Sequence, residues 1–173
     1  MKRILALLAA LCCLASTYVP AENENLIYNG AFGMEEGGRY PEGWYTSGWN
    51  SANSFYEVTE EDGWRCLYID SYENNDARWV QDVIVTPGES YRVSCYVKAE
   101  DCSDDGRGAN ISILDTSVYS ESVYDTEGEW VLLELYGRAA KKQDVITVAL
   151  RIGGYSGDCT GKAWFRDVRV EAS

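Results

Sequence analysis

Alternation of apolar and polar residues runs unbroken through Glu89-Ser90-Tyr91-Arg92-Val93-Ser94-Cys95-Tyr96-Val97-Lys98-Ala99. Successive side chains of a β-strand point to opposite faces, so Tyr91, Val93, Cys95, Val97 and Ala99 share one face of a strand built from this stretch. Thr86-Pro87-Gly88, directly before it, is a typical turn. The stretch therefore predicts a strand with one face in a core and with Tyr96 on the other face, beside Arg92 and Lys98.

The same two-residue period recurs in short runs separated by turn residues, which is the pattern of an all-β protein. Helical periodicity is almost absent after the first 21 residues. Two sheets packed face to face satisfy the pattern, because each strand then hides one side and exposes the other. The further predicted strands are Ser54 to Thr59, Arg65 to Ser71, Trp79 to Val85, Ala109 to Asp115, Val118 to Tyr124, Trp130 to Tyr136, Val145 to Ile152 and Ala163 to Glu171.

The first residues of the chain have the features of an export signal. Lys2 and Arg3 are followed by an apolar run from Ile4 to Leu14 and by the small-residue cleavage site Val19-Pro20-Ala21. The run is too short to cross a bilayer, which takes roughly 20 apolar residues. We therefore expect residues 1–21 to be a signal peptide and residues 22–173 to form one secreted, monomeric domain without an integral membrane segment.

Composition excludes several functions. The chain has 28 acidic against 15 basic residues, a formal net charge of −13, so nucleic acid is a poor partner. It contains no histidine, which excludes the Ser-His and Cys-His nucleophile systems and histidine-bound metals. A glycosidase needs only two carboxylates, but the acids cluster in polar loops such as Glu60-Glu61-Asp62. We therefore predict that the protein is not an enzyme.

Four cysteines follow the predicted signal peptide: Cys66, Cys95, Cys102 and Cys159. An even number outside the cytosol allows two disulfides, with three connectivities that the sequence does not rank. Cys102 and Cys159 lie in polar loops rich in Gly and Asp, and we expect a disulfide between these two first. Cys95 lies inside an alternating strand and has the pattern of a buried thiol.

Five motifs, taken in chain order, resemble carbohydrate-binding modules of the CenC type. They are Asn25-Leu26-Ile27-Tyr28-Asn29-Gly30-Ala31-Phe32, Pro41-Glu42-Gly43-Trp44, Gln81 to Tyr91 running on into Tyr96-Val97-Lys98-Ala99, Glu129-Trp130, and Gly161-Lys162-Ala163-Trp164-Phe165-Arg166-Asp167-Val168-Arg169-Val170. Together they span nearly the whole chain after the signal. The resemblance implies a jelly-roll β-sandwich of the galactose-binding type, usually an accessory to enzymes that attack polysaccharides.

The resemblance also implies a calcium position, which related modules build between the first strand's end and the last strand's start. Here Gly33 and Arg166 stand at two of the matching positions, and only Asp167 is retained. Calcium prefers six to eight oxygen ligands, and an arginine among them repels the ion. We therefore expect no cofactor and rank the absence of calcium ahead of a structural calcium site, for which Asp167, Glu35, Glu36 and backbone carbonyls are the candidate ligands. An alternative is that Arg166 takes the ion's place by pairing with an acidic residue.

Aromatic composition points to sugar recognition. Six Trp and thirteen Tyr stand against three Phe, which favours rings with a polar edge. A sugar presents a flat face of C–H groups and a rim of hydroxyls, so its site needs rings to stack on and polar groups around them. We assign Trp44, Trp130 and Trp164 to the core, because each has apolar neighbours at a strand edge or turn. We predict an exposed platform from Trp49, Trp79, Tyr96, Tyr119, Tyr124 and Tyr155.

The predicted ligand-binding residues are Trp49, Trp79, Gln81, Tyr96, Asn110, Tyr119, Arg151 and Tyr155. Alternation places Asn110, Ser112 and Arg151 away from their apolar neighbours. If their strands adjoin that of Tyr96, they form the polar edge of an aromatic trough. The leading hypothesis is a secreted, non-catalytic module that binds a polysaccharide or oligosaccharide. The alternative is an extracellular adhesive or structural β-sandwich that binds a protein or a cell-envelope partner, and a small glycosidase ranks third.

Overall fold

A computed structural model describes residues 24–155 and 157–173, and the predicted signal peptide, residues 1–21, lies outside the described residues. The described chain forms nine strands and one 3₁₀ turn, Ser51–Asn53. No helix long and apolar enough to cross a membrane occurs in this part of the chain. The strands are β1 Tyr45–Ser47, β2 Ser54–Glu61, β3 Trp64–Asn75, β4 Ala77–Ile84, β5 Ser90–Glu100, β6 Ala109–Ile113, β7 Val131–Arg138, β8 Val145–Ile152 and β9 Cys159–Ala172.

Two antiparallel sheets pack face to face. One has four strands in the order β1-β4-β8-β6, and the other has five in the order β2-β3-β9-β5-β7. Most neighbours in the two sheets are distant in the chain, so the loops cross repeatedly from one layer to the other. The predicted jelly-roll β-sandwich is confirmed.

Alternation sorts the side chains of each strand into an inner and an outer set. In β5 the inner set is Tyr91, Val93, Cys95, Val97 and Ala99, all at most 5% exposed, as predicted. In β8 every second residue from Ile146 to Ile152 joins the same core. These inner faces meet Leu67, Ile69 and Phe165 of the five-stranded sheet. Burying a Leu, Ile, Val or Phe side chain contributes about 1.5–3 kcal/mol, so this two-layer contact supplies most of the drive to fold.

Two segments lie beside strands without forming regular strands themselves. Val118 to Tyr124 makes isolated bridges to β6, Ser112 with Tyr119 and Ala109 with Val123, instead of a regular strand. The opening segment is held beside β9 mainly by one side chain, since Asn25 donates to the Val168 carbonyl at 3.0 Å and accepts from the Val170 amide at 2.9 Å. In place of the continuous backbone hydrogen bonds of a regular strand, the opening segment relies mainly on the Asn25 side chain and Val118 to Tyr124 relies on isolated bridges.

One extra residue interrupts the pairing of β9 with β5. Ser94 faces Arg169 and Tyr96 faces Arg166, so two residues of β9 stand opposite Cys95 alone. Asp167 is one of these two and has a left-handed backbone, with φ of 49°. This is a β-bulge, which inserts one residue and restores alternation beyond it. It allows Phe165 and Val168 both to reach the core while Arg166 remains on the outer face.

The prediction that Trp79 is exposed was wrong. Trp79 is 0% exposed and lies between the sheets, where its Nε1 donates to the Tyr68 carbonyl at 2.9 Å. The rings of Tyr40 and Tyr56 meet it edge to face, at centroid distances of 4.8 and 5.8 Å. Apolar residues stand at both parities of β4, so its pattern does not distinguish the inner from the outer face.

Gln81 shares the inner face of β4 and is only 2% exposed. Its side-chain amide accepts from the Tyr28 backbone N–H and donates to the Tyr28 carbonyl, each at 2.8 Å. This pair of hydrogen bonds imitates a strand ladder and fastens the opening segment to the sheet. A ligand-binding role predicted for Gln81 therefore lacks an exposed polar group.

Trp79→Ala is expected to lower the free energy of unfolding by about 3–5 kcal/mol, because it leaves a large cavity between the sheets. Trp49→Ala is the matched control. Trp49 is 57% exposed, so its loss should change stability by no more than about 0.5 kcal/mol. Urea unfolding followed by circular dichroism measures both variants. Equal losses would show that Trp79 does not hold the two layers together.

Candidate functional site

The outer face of the four-stranded sheet holds a buried ion pair. The Arg151 guanidinium makes a two-pronged contact with the Asp76 carboxylate, in which Nε donates to Oδ1 at 2.9 Å and Nη2 donates to Oδ2. Its Nη1 donates to Ser112 Oγ at 2.9 Å. Arg151 and Asp76 are both fully buried, and Arg78 adds a second cation 3.1 Å from Asp76. Alternation placed Arg151 on this face correctly but did not indicate its burial.

Two tyrosines cover this ion pair. The centroids of the Tyr155 and Tyr119 rings lie 5.0 and 5.6 Å from the Arg151 guanidinium carbon. Arg107 stacks on the Tyr119 ring at 4.3 Å. The loop after β8 thus folds back over the sheet, and Arg151 presents no donor to solvent.

Asn110 lies beside this covered region and is also buried. Its Nδ2 donates to the carbonyls of Gly108 and Gly153, at 2.9 and 3.0 Å, and so joins two loops. Its Oδ1 has no hydrogen-bond partner. The contacts assign Asn110 a structural part on this face.

The predicted trough is not assembled. Tyr96 lies on the outer face of the five-stranded sheet, on the opposite side of the molecule from Arg151, and Trp79 lies in the core between them. Trp49 stands exposed in the loop between β1 and β2, and Tyr124 is partly exposed in the segment after β6. Alternation gives the outward faces of Tyr96 and Arg151 correctly but does not say which sheet a strand joins.

A different aromatic surface covers the outer face of the five-stranded sheet. Register places Tyr68 opposite Trp164, and Trp164 opposite Lys98. The next row places Leu132 opposite Tyr96, and Tyr96 opposite Arg166. Cross-strand partners share a face of their sheet, so these rows form one continuous surface. We call it the aromatic face; its rings are Phe55, Trp64, Tyr68, Tyr96, Trp130, Tyr136 and Trp164.

The rings of the aromatic face are accessible to different degrees. Tyr136, Trp64 and Phe55 are 62%, 53% and 50% exposed, which is high for aromatic side chains. Tyr68 and Trp164 are half-buried and lie against one another, with centroids 4.9 Å apart and planes tilted by 34°. The face therefore offers flat apolar surface at several points across the sheet.

Arg166 stands at the centre of the aromatic face, surrounded by three rings. Its guanidinium carbon lies 4.4 Å from the centroid of Trp64, 4.4 Å from that of Tyr96 and 4.7 Å from that of Trp130. A cation over an aromatic ring contributes about 0.5–2 kcal/mol according to its exposure. We call these four side chains the Arg166 cluster. Arg166 makes no hydrogen bond or ion pair with any residue in the described part of the chain, and its Nε is buried without a partner.

The β2–β3 hairpin tip reaches over the aromatic face and fixes one ring of the cluster. Asp62 and Gly63 both have positive φ, 52° and 79°, which is the conformation of a tight type I′ hairpin turn. The Asp62 carboxylate accepts from Trp130 Nε1 at 2.9 Å and from Lys98 Nζ at 2.7 Å. These two hydrogen bonds lower the pKa of Asp62, so it is ionised at neutral pH.

Lys98 is nearly buried and is held by two carboxylates. Its Nζ lies 2.9 Å from Glu61 and 2.7 Å from Asp62. Burial by itself lowers the pKa of Lys98, but the hydrogen bonds with Asp62 and Glu61 outweigh it and raise that pKa. Lys98 therefore stays charged, and its donors are already engaged, unlike those of Arg166.

Two grooves border the cluster. The first has a volume of about 400 Å³ and is lined by Asn25, Trp64, Arg65, Arg166 and Asp167 among others. The second has a volume of about 370 Å³ and is lined by Glu61, Lys98, Glu100, Asp125 and Trp164 among others. We call them the Trp64 groove and the Trp164 groove. Cationic side chains outnumber carboxylates in the first, and carboxylates outnumber cations in the second.

Two tryptophans assigned to the core from the sequence lie on this surface. Trp44 is buried as predicted, 4% exposed, against Phe32, whereas Trp130 and Trp164 are half-buried on the outer face. The assignment to the core was wrong because it relied on apolar neighbours in the chain. Ala163 and Phe165, on either side of Trp164, point inward, so Trp164 itself points outward. Counting alternation through Ala163-Trp164-Phe165-Arg166 places Trp164 and Arg166 outward, so that signal was present in the sequence.

Asp167 is exposed, because it occupies the β-bulge. The described residues contain no group of three or more Cys, Asp and Glu side chains placed to hold a metal ion. The alternative that Arg166 pairs with an acidic residue was wrong, because aromatic rings surround its guanidinium instead. The absence of calcium at this edge of the sandwich stays a prediction.

The predicted disulfide between Cys102 and Cys159 is not present. All four cysteines of the described chain are free and buried. Cys102 and Cys159 do lie together, and the hydrogen bond between their thiols, followed by burial, raises the pKa of Cys102. Cys159 also accepts from Ser103 Oγ at 3.3 Å. The two thiols expected to pair do lie in contact, but Cys159 is the first residue of β9 and not part of a loop.

Comparisons with known proteins agree on the fold. A CBM4 structure matches with a TM-score of 0.55 and 19% identity, over 85% of this chain and 99% of the other. TmCBM61, solved in complex with β-1,4-galactotriose, matches with a TM-score of 0.56 and 18% identity, over 87% and 99%. The fold is that of a jelly-roll carbohydrate-binding module.

The same sandwich also occurs within a larger protein. The enzymatically active domain of tailspike protein 4 from bacteriophage CBA120 matches with a TM-score of 0.60 and 11% identity, over 86% of this chain and 21% of that one. No protein-family model and no curated protein matches the sequence. Shared architecture at these identities does not fix function, which depends on the residues of the site.

Asp76→Ala is expected to lower the free energy of unfolding by about 3–5 kcal/mol, because it leaves the buried Arg151 guanidinium without its counter-charge. Asp82→Ala is the control on the same sheet, where an exposed carboxylate accepts one hydrogen bond from Thr147. Its cost should stay below about 1.5 kcal/mol. Chemical denaturation at neutral pH measures the difference. A small effect of Asp76→Ala would show that water reaches the ion pair.

Proposed function

We propose that the protein is a secreted, non-catalytic carbohydrate-binding module whose ligand lies on the aromatic face of the five-stranded sheet. One observation carries the proposal: half-exposed Trp64 stands beside Tyr96 and Trp130 on a surface that also presents Trp164 and Tyr68. Soluble proteins seldom expose large contiguous apolar surface without using it to bind a partner. Flat rings bordered by charged groups match the C–H face and hydroxyl rim of a sugar.

The opposite sheet is a weaker candidate for the same task. There Tyr119 and Tyr155 rest on Arg151 and Arg107, so the rings already have partners. Beneath them, Arg151, Asp76 and Ser112 are buried and hydrogen-bonded to one another. A ligand on that face would compete with contacts that its tyrosines already make, whereas the aromatic face offers exposed rings and two grooves.

Binding without catalysis is supported by the side chains present. The chain has no histidine. Glu61 and Asp62, two carboxylates beside the Arg166 cluster, are both engaged by Lys98. A glycosidase needs one carboxyl group whose pKa is raised so that it can donate a proton, whereas the pKa of Asp62 is lowered.

The fold agrees with this proposal. CBM4 and TmCBM61 share the sandwich along almost their whole length, and TmCBM61 was solved with β-1,4-galactotriose. Secretion is supported by the export signal expected at residues 1–21. The site residues differ from those predicted from sequence: only Tyr96 of the eight lies on the aromatic face.

Trp64→Ala is expected to weaken glycan binding by roughly 30-fold or more, since a central tryptophan of an interface contributes about 2 kcal/mol or more. Trp164→Ala should weaken binding less, because its ring already stacks on Tyr68. Affinity electrophoresis in gels containing β-glucan, xylan, galactan or pectin measures both, with thermal unfolding to confirm that each variant folds.

Trp49→Ala is the matched control and should bind as the wild type does, because Trp49 lies in the loop before β2. Loss of binding in Trp49→Ala together with full binding in Trp64→Ala would move the site away from the aromatic face. A wild-type protein that no glycan in the panel retards would contradict the proposed function. Reducing-sugar release from any of the glycans would contradict its non-catalytic character.

A further inference from the structure

We propose that the Trp64 groove recognises the carboxylate of an acidic sugar, so that the glycan bound on the aromatic face contains uronic acid. This inference rests on the proposed function and names the class of its ligand. It starts from Arg166, whose guanidinium lies in the centre of the face and makes no direct ion pair or hydrogen bond with any described residue.

An arginine so placed is costly without an anionic partner. Three rings surround the Arg166 guanidinium, and Nε is shut off from water with no acceptor. The rings contribute attraction to the cation, but they supply no hydrogen-bond acceptor in the plane of the guanidinium. A buried donor left unsatisfied costs about 1–3 kcal/mol, more when it is charged. Arg166 as a whole is only half-buried and lines the Trp64 groove, so a ligand carboxylate in that groove can pair with the accessible part of the guanidinium.

The acidic and thiol groups near Arg166 do not supply a partner for its guanidinium. Asp62 and Glu61 give their short contacts to Lys98, and Asp62 also holds Trp130. Cys66 is close enough to Arg166 to interact with its charge, but burial raises the pKa of the Cys66 thiol to about 11, so it is uncharged at neutral pH. Lys98 and Arg166 are both cations of the same sheet face. Lys98 forms ion pairs with two carboxylates, whereas Arg166 forms none with the described residues.

The groove beside Arg166 adds a second cation and space for a sugar ring. Its volume is about 400 Å³, and its wall includes Arg65, which is exposed and donates only a 3.4 Å hydrogen bond to the Phe32 carbonyl. Asp167 is the single carboxylate in this wall. On a protein with a net charge of −13, a groove with two guanidinium groups and one carboxylate is a local exception.

The geometry favours a carboxylate over neutral hydroxyls. Guanidinium presents parallel N–H donors that match the two oxygens of a carboxylate, and such charge-assisted hydrogen bonds are about twice as strong as neutral ones. Trp64 borders the same groove, so one sugar residue can stack on the indole while its carboxylate faces Arg166. The acidic remainder of the protein acts at longer range, where salt screens charge beyond about 8 Å at physiological ionic strength.

The test compares polygalacturonate and alginate with the same polymers after chemical reduction of their carboxyl groups. Affinity electrophoresis, followed by calorimetry with short oligosaccharides, measures binding of the full chain. We expect at least one acidic polymer to bind tenfold or more tightly than its reduced form. Arg166→Gln and Arg65→Gln should each shrink that ratio, Arg166→Gln nearly to one, and Arg166→Lys should preserve part of it. Lys141→Gln, at an exposed loop outside both grooves, removes the same charge and should leave the ratio unchanged.

Each other outcome has a distinct meaning. Equal or tighter binding of the reduced polymers would overturn the acidic-sugar assignment and leave the proposed function standing. Binding only to a sulfated galactan would overturn it in the same way. A wild-type protein that binds no neutral or acidic glycan would overturn the proposed function itself. Should Arg166→Gln unfold in a thermal melt, Arg65→Gln and the wild-type ratio between the two polymer forms still decide the question.

Discussion

The sandwich depends on one extra residue in its most heavily paired strand. β9 pairs with β3 on one side and with β5 on the other, so its register fixes three of the five strands of its sheet. Beyond Phe165 the apolar residues fall out of step by one position, and the bulge at Asp167 absorbs that step. A regular strand in its place would turn Val168 and Val170 outward, because a one-residue slip reverses every side chain that follows. The bulge therefore lets Val168 and Val170 join the core, while Arg166, just before it, keeps the outward position that regular alternation gives it.

The parts of the fold that the sequence predicted are those governed by local alternation. β5 has apolar residues at one parity and mainly polar residues at the other, and β8 has large apolar residues from Ile146 to Ile152 at one parity with Thr147 and Arg151 at the other, so their bounds and faces could be derived. β4 has Trp79 and Val83 at one parity and Val80 and Ile84 at the other, and there the pattern does not separate the faces. The exposure of Trp79 was predicted wrongly for this reason. The isolated bridges of Val118 to Tyr124 also could not be derived, since they depend on which strand lies beside them.

The candidate site was harder to predict, because it depends on strand order and on loops that return over a sheet. Tyr96 and Arg151 both face outward as alternation indicates, but their strands belong to different layers. Nothing local in the sequence announces that Tyr155 closes over Arg151, or that Asp62 reaches Trp130 across the sheet. Strand pairing joins residues that are far apart in the chain. The aromatic face contains Trp64, Trp130 and Trp164, which were not predicted for the platform, and Tyr96, which was. The two outer faces consequently differ in kind, one covered by its own tyrosines and the other open.

The Asp62 carboxylate ties together strands that are not neighbours. It sits on the β2–β3 hairpin, at one margin of the five-stranded sheet, and holds a lysine of β5 and the indole that precedes β7 at the other margin. The tip of the β2–β3 hairpin thus links the two margins of the five-stranded sheet. The Trp130 indole is thus held in part by a loop 68 residues away in the chain, at the opposite margin of the sheet.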